Sequence, residues 1–147
     1  MKALTIKQPY PWLILASDRQ LAKVNAQRKR VENRSWNTKY RGPLAIHAGV
    51  SLSVLNAHHR TAKSREDFPE LVFGAIVGVV DLVDCVKLDA EDAYSHYPWL
   101  ASHQHATGPY CWILDKPRRL EIPIYARGRQ GLWPTNIDPG ILDDLVA

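Results

Sequence analysis

The chain is poor in residues that staple or anchor a protein. Its 147 residues include only two cysteines, Cys85 and Cys111. They lie in the apolar, strand-like runs VDLVDCVKL and YCWIL and form no CxxC pair, which argues for buried free thiols in a reducing compartment rather than a disulfide or metal site. No apolar run approaches the roughly 20 residues that a membrane span requires. The start, MKALTIKQPYPWLIL, is broken by two prolines and lacks the basic segment, apolar stretch and small-residue cleavage site of a signal peptide. The expected location is therefore cytoplasmic. Neither a Walker motif nor a GxGxxG occurs, which disfavours triphosphate and dinucleotide chemistry, and no cofactor is implied. No repeat, linker or low-complexity stretch interrupts the sequence. A single domain over residues 1–147 is expected, burying roughly two-thirds of its unfolded surface.

What is present reads as a folded α+β chain, with 46% hydrophobic and 23% charged residues. ALTIK alternates like a short strand, and QPYP turns into WLILASDRQLAK, where Trp12, Leu13, Ile14, Leu15 and Leu21 fit one helix face. RKRVENRSW and RGPLAIHAG read as strands, and residues 51–65 as a serine-capped helix with Leu52, Leu55 and His59 in register. Residues 73–88 form the strongest strand signal, β-branched and carrying Gly74 and Gly78 where a bulge can bend it. LDAEDAYSHYPWL predicts a short helix, and GPYCWILDKPRRLEIPIYARG predicts two strands around a turn at Lys116-Pro117. GRQGLWPTNID reads as a loop and PGILDDLVA as a terminal helix. Five or six strands with two to four helices and no βαβ alternation predict a small mixed, barrel-like sheet.

The charge is concentrated. Of a formal net +4, the segment RKRVENRSWNTKYRG holds Arg28, Lys29, Arg30, Arg34, Lys39 and Arg41 against one acid, Glu32, so the rest of the chain is close to neutral. A local basic patch on a neutral body points toward a polyanion. As a strand, the segment would place Arg30, Glu32, Arg34 and Trp36 on one face and Lys29, Val31, Asn33 and Ser35 on the other. Opposite charges within about 4–6 Å favour an ionised Glu32. A carboxylate can accept from the exocyclic amine of a base, arginines suit phosphate or guanine, and Trp36 or Tyr40 can stack a base. A salt-bridge ladder with Trp36 in the core fits the same pattern.

KRVENRSWNTKYRGPLAIHA, preceded by LTIKQPYPWLIL and followed by GAIVGVVDLVDC and GLWP, resembles the ASCH family, named for homology to the activating signal cointegrator. Lys29, Glu32, Arg34, Trp36 and Arg41-Gly42 carry the resemblance, which covers nearly the whole chain. It implies a PUA-like β-barrel, related to domains that bind RNA or modified bases, with a cleft beside the barrel. It also implies binding of RNA or DNA through Lys29, Arg30, Arg34, Lys39 and Arg41, with a modified nucleoside as a further candidate ligand.

One branch of the family resembles the bacterial N4-acetylcytidine amidohydrolase, whose motif sets a threonine three residues after a lysine and an arginine two further on. Lys29 and Arg34 match, but Glu32 takes the threonine's place. A salt-bridged carboxylate is a weak nucleophile toward an amide, and Thr38 reads as a turn hydroxyl. Other members resemble ribonucleases, in which Lys29 and Glu32 would be the catalytic pair.

In the family pattern the QPYP and GLWP loops border the cleft, which adds Gln8, Tyr10 and Trp133 to its expected lining. His47 ends the strand LAIHAG near it, and Arg127 and Arg129 in ARGRQG extend the basic edge toward phosphate. Metal is not expected. Adjacent His58 and His59 would diverge on a helix, and His103 and His105 lack a third ligand.

Overall fold

A computed structural model describes residues 1–58 and 63–147. Its strands are β1 (Lys2–Ile6), β2 (Val31–Arg34), β3 (Gly42–Ala48), β4 (Ala75–Lys87), β5 (Tyr110–Tyr125) and β6 (Leu132–Pro134). They form one sheet in the order β2-β5-β4-β3-β1-β6. β1 and β3 run parallel and every other pair is antiparallel. Shifts of register along β4 curl the sheet into a half-barrel, because each extra residue bends the strand that carries it. The architecture is α+β and PUA-like.

Alternating side chains feed apolar clusters on both faces. Leu4, Ile6, Leu44, Ile46, Val80 and Trp112 pack inside the curl with Ile14 and Leu15. Ala3, Ala45, Ile76, Val79 and Trp133 pack outside it with Leu142. A third cluster, Val31, Cys111, Ile113 and Leu100, lies beyond β2.

The described residues hold five α-helices, none longer than six residues: α1 (Tyr10–Leu15), α2 (Asp18–Lys23), α3 (Ser53–Ala57), α4 (Glu91–His96) and α5 (Leu142–Leu145). None of the described helices is long and apolar enough to cross a membrane. The single helix expected from WLILASDRQLAK is two. Ala16 is extended (φ −58°, ψ 150°), and Ser17 starts α2 with a reciprocal capping box to Gln20. α1 lies against β4 at Gly78, where a Cβ would come within 2.5 Å of the Leu15 side chain and 2.7 Å of the Arg118 carbonyl. That close approach fixes α1 over the sheet.

Three further expectations change. The two strands expected around Lys116-Pro117 are one 16-residue strand, β5, in which Lys116 takes φ +48° without ending the pairing. Residues 132–134, expected in a loop, form edge strand β6 on β1. Of the helix expected over residues 51–65, α3 begins at Ser53 with Leu52 rather than a serine at its N-cap, and the His59 portion lies outside the described residues.

Candidate functional site

β6 pairs with β1 only as far as Leu4, and β2 pairs only with β5. The sheet therefore stays open between the far end of β1 and the edge of β2. A cleft of about 430 Å³ occupies this seam, with Thr5, Ile6 and Lys7 on the β1 side and Lys29, Glu32 and Arg34 on the other. Its volume is in the range of small-molecule sites.

β2 is extended only from Val31. Glu32 sits opposite Trp112 and so points into the curl, while Asn33 sits opposite Cys111 on the other face. Lys29 precedes the pleat, so strand alternation does not govern it. Its backbone N–H donates to the Leu13 carbonyl at the end of α1, and its side chain turns back to the carboxylate. Lys29 Nζ donates to the Val31 carbonyl and to Glu32 Oε1 (2.8 Å), and stands 5.2 Å from the centre of the Tyr10 ring. Glu32 Oε2 accepts from Arg34 Nε (3.2 Å) and Nη2 (2.8 Å). Arg34 Nη2 also donates to the Thr5 carbonyl (3.0 Å), which ties the two sides of the seam together. Lys29 is 3% exposed and Glu32 7%, so each charge depends on the other for compensation.

Arg30, expected beside Glu32, lies instead over Trp99 at 3.8 Å from the ring centre. Arg28 closes the end of α1, donating to the carbonyls of Ile14 (2.7 Å) and Ala16 (2.6 Å) and pairing with Asp18. Of the six bases in the run, Arg28, Lys29, Arg30, Arg34 and Arg41 thus have partners within the fold.

The far wall comes from residues 103–107, and Asn33 holds it there. Asn33 Oδ1 accepts from the N–H groups of Thr107 (3.0 Å) and Gly108 (2.8 Å), and its amide donates to the His105 carbonyl (2.7 Å). The rings of Trp99, His103, His105 and Tyr10 follow one another edge to face at 5.4, 5.6 and 6.5 Å. His103 Nε2 accepts from the Arg30 N–H (3.1 Å). Burial, with His105, Arg30 and Lys29 nearby, lowers His103 to about 4. Burial and Lys29 lower His105 as well, partly countered by its hydrogen bond to the Gln27 backbone. Both imidazoles are neutral at pH 7.

No family model matches the chain. Over 113 residues, 71% of its length, it is 30% identical to activating signal cointegrator 1 of Homo sapiens and 29% identical to that of Mus musculus. The chain belongs to the ASCH family. It spans about a fifth (19%) of the length of each cointegrator.

The remaining expected residues of this ASCH chain are distributed more widely than its sequence implied. Tyr10 lines the cleft. Gln8 is 2% exposed, its amide bonded to the Val72 carbonyl (2.8 Å) and the Trp12 N–H (3.2 Å), and it braces the start of α1. Trp36 packs edge to face on Trp112 at 4.8 Å. The Tyr40 hydroxyl donates to the Pro43 carbonyl, and Arg41 turns to the Thr38 carbonyl (2.9 Å) and Asp84 (3.4 Å). Lys39 is exposed, while Thr38 is buried and accepts from the Tyr40 N–H.

His47 is interior, with Nε2 2.6 Å from the Ala126 carbonyl and its ring against Trp133. Trp133 donates to Thr5 Oγ1 (3.1 Å), so it supports the cleft wall from behind. Arg127 and Arg129 are exposed along a separate groove of about 630 Å³ beside β6.

Sequence reasoning missed Asn33, Thr5, Lys7, Gln104 and Thr107. The HQH triplet is the one visible signal for the far wall, and its spacing by itself suggests only a metal site. No group of three metal-ligating side chains occurs among the described residues.

Proposed function

We propose that this ASCH domain binds RNA or DNA and accepts a base or nucleoside in the seam cleft. The observation that carries the reading is the Lys29–Glu32–Arg34 triad, which holds two cations in fixed positions beside the Tyr10 ring in a cleft of about 430 Å³. Fixed guanidinium and ammonium groups suit phosphate, and an aromatic wall suits a base. Lys39 and Arg41 are exposed on the loop after β2, where they add attraction for a polyanion.

The hydrolytic alternative needs Glu32 to take a proton or to aim a water. Both of its oxygens already accept hydrogen bonds from cations, an arrangement that suits a positioning group better than a base.

Short RNA and DNA strands titrated at two salt concentrations test the proposal. Binding should weaken steeply with salt, since each phosphate that a cation neutralises adds about one to the slope of log K against log salt. Arg34→Ala and Arg41→Ala should each weaken it. Absence of binding at low salt, or full affinity in both variants, overturns the proposal.

A further inference from the structure

The hydrogen-bonding capacity left over in the cleft defines its ligand more closely. Every charged acceptor is already used. Glu32 Oε1 takes Lys29, and Oε2 takes Arg34 twice. Asn33 is committed to the loop of residues 105–108, and Thr5 Oγ1 accepts from Trp133. His105 bonds the Gln27 backbone on one side and meets Gln104 Nε2 at 3.3 Å on the other.

Among the described residues, the groups without a partner are of two kinds. Two are cationic donors, Arg34 Nη1 on the β2 side of the seam and the exposed Lys7 ammonium on the β1 side. The others are neutral: the Tyr10 and Thr107 hydroxyls and Gln104 Oε1. Lys7, Lys29 and Arg34 against Glu32 leave a local charge of +2, because His105 is neutral. A neutral nucleoside would leave that excess uncompensated, whereas a phosphate group compensates it and matches the open edge of the guanidinium.

Gln104 carries the one side-chain amide in the cleft that is not committed to the fold, with a neutral donor and an acceptor on separate atoms side by side, the pair needed to read a base edge; the Tyr10 and Thr107 hydroxyls offer both on a single oxygen. It is steadied by its own N–H to Gln27 Oε1 (3.2 Å) and by its contact with His105.

We propose that the cleft takes a phosphate-bearing nucleotide rather than a free nucleoside, with Lys7 and Arg34 on the phosphate, Gln104 as the residue that discriminates the base, and Glu32 as the positioning residue that aims Arg34. This rests on the nucleic-acid reading above. It assigns the reading of the base to a loop 62 positions beyond Gly42, where the family motif ends.

Calorimetric titration with the four nucleoside 5′-monophosphates, the matching nucleosides and inorganic phosphate tests it, alongside a single-stranded oligonucleotide. At least one monophosphate should bind about tenfold or more tightly than its nucleoside, as expected for charge-assisted hydrogen bonds. Lys7→Gln, an exposed position, should shrink that ratio. Gln104→Ala should keep the ratio but level the ranking among the bases. Nucleosides binding as tightly as monophosphates, no binding of any monophosphate, or an unchanged ranking in Gln104→Ala would each overturn the proposal. Oligonucleotide binding by the wild type in those cases leaves the nucleic-acid reading standing. Monophosphate binding without oligonucleotide binding overturns that reading instead.

Discussion

The cleft beside β2 and the groove beside β6 both present cations, but only the first fastens any of them to a carboxylate. Lys29 and Arg34 are locked to Glu32, to backbone carbonyls and across the seam to Thr5. Arg127 and Arg129 stand exposed, with no carboxylate in ion-pairing distance among the described residues, and Arg129 only approaches the Trp133 ring at 5.9 Å. A fastened cation has its orientation set before the ligand arrives, so it can contribute to geometry and selectivity. A loose one contributes field and encounter rate. One chain thus carries positive charge in two physically different forms.

The largest effect that distinguishes them is on stability. Glu32→Gln leaves the Lys29 ammonium buried without a countercharge and should cost about 3–5 kcal/mol in urea unfolding. Arg127→Gln with Arg129→Gln should stay within about 0.5 kcal/mol. Equal costs for the two would erase the distinction.

Asn33→Ala comes next. It strips the acceptor from two backbone N–H groups of the far wall and should cost about 2 kcal/mol, with faster amide exchange at Thr107 and Gly108. Unchanged exchange there would show that the wall is held by its ring contacts alone.

A third effect concerns pH. His103 is lowered to about 4 in the fold, so between its ordinary value near 6.5 and 4 the unfolded chain binds more protons than the folded one. Stability should therefore fall as pH drops through that window, by up to about 1.4 kcal/mol per unit, and His103→Gln should flatten the slope. Protonation would also remove the acceptor that Nε2 offers to the Arg30 N–H.

The smallest effect is on binding alone. The double arginine variant should lower the salt slope for oligonucleotides by about two while leaving base preference intact. A change in preference would bring the second groove into recognition itself.

Local pattern carried the fold a long way. Alternation located β1, β3 and β4, and inside β2 it correctly put Glu32 and Arg34 on one face with Val31 and Asn33 on the other. It failed at the ends of β2. Lys29 and Arg30 precede the extended backbone, so a rule of period two assigned Lys29 away from the carboxylate it binds and Arg30 beside one it does not touch. At Lys116-Pro117 the turn chemistry was real, as the left-handed Lys116 shows, but pairing with β4 on both sides kept the strand continuous. The far wall was illegible for a different reason. Asn33 reaches Gly108 across 75 positions, and no spacing rule encodes such a contact.

The placement of β1 has a consequence in time as well as in space. Leu4 pairs with Ile46 on one side and with Leu132 on the other, and the Trp133–Thr5 hydrogen bond spans 128 positions. Pairings of such sequence separation are associated with folding in milliseconds to seconds rather than microseconds. β1, which precedes the other five strands in chain order, is therefore completed only after residues 132–134 have docked. Thr5, the anchor for Arg34 across the seam, gains its own support at that step. Pulse-labelled hydrogen exchange should find protection on β1 beside β6 arriving after that of the β4–β5 pair, so that the seam cleft takes shape as one of the last acts of folding.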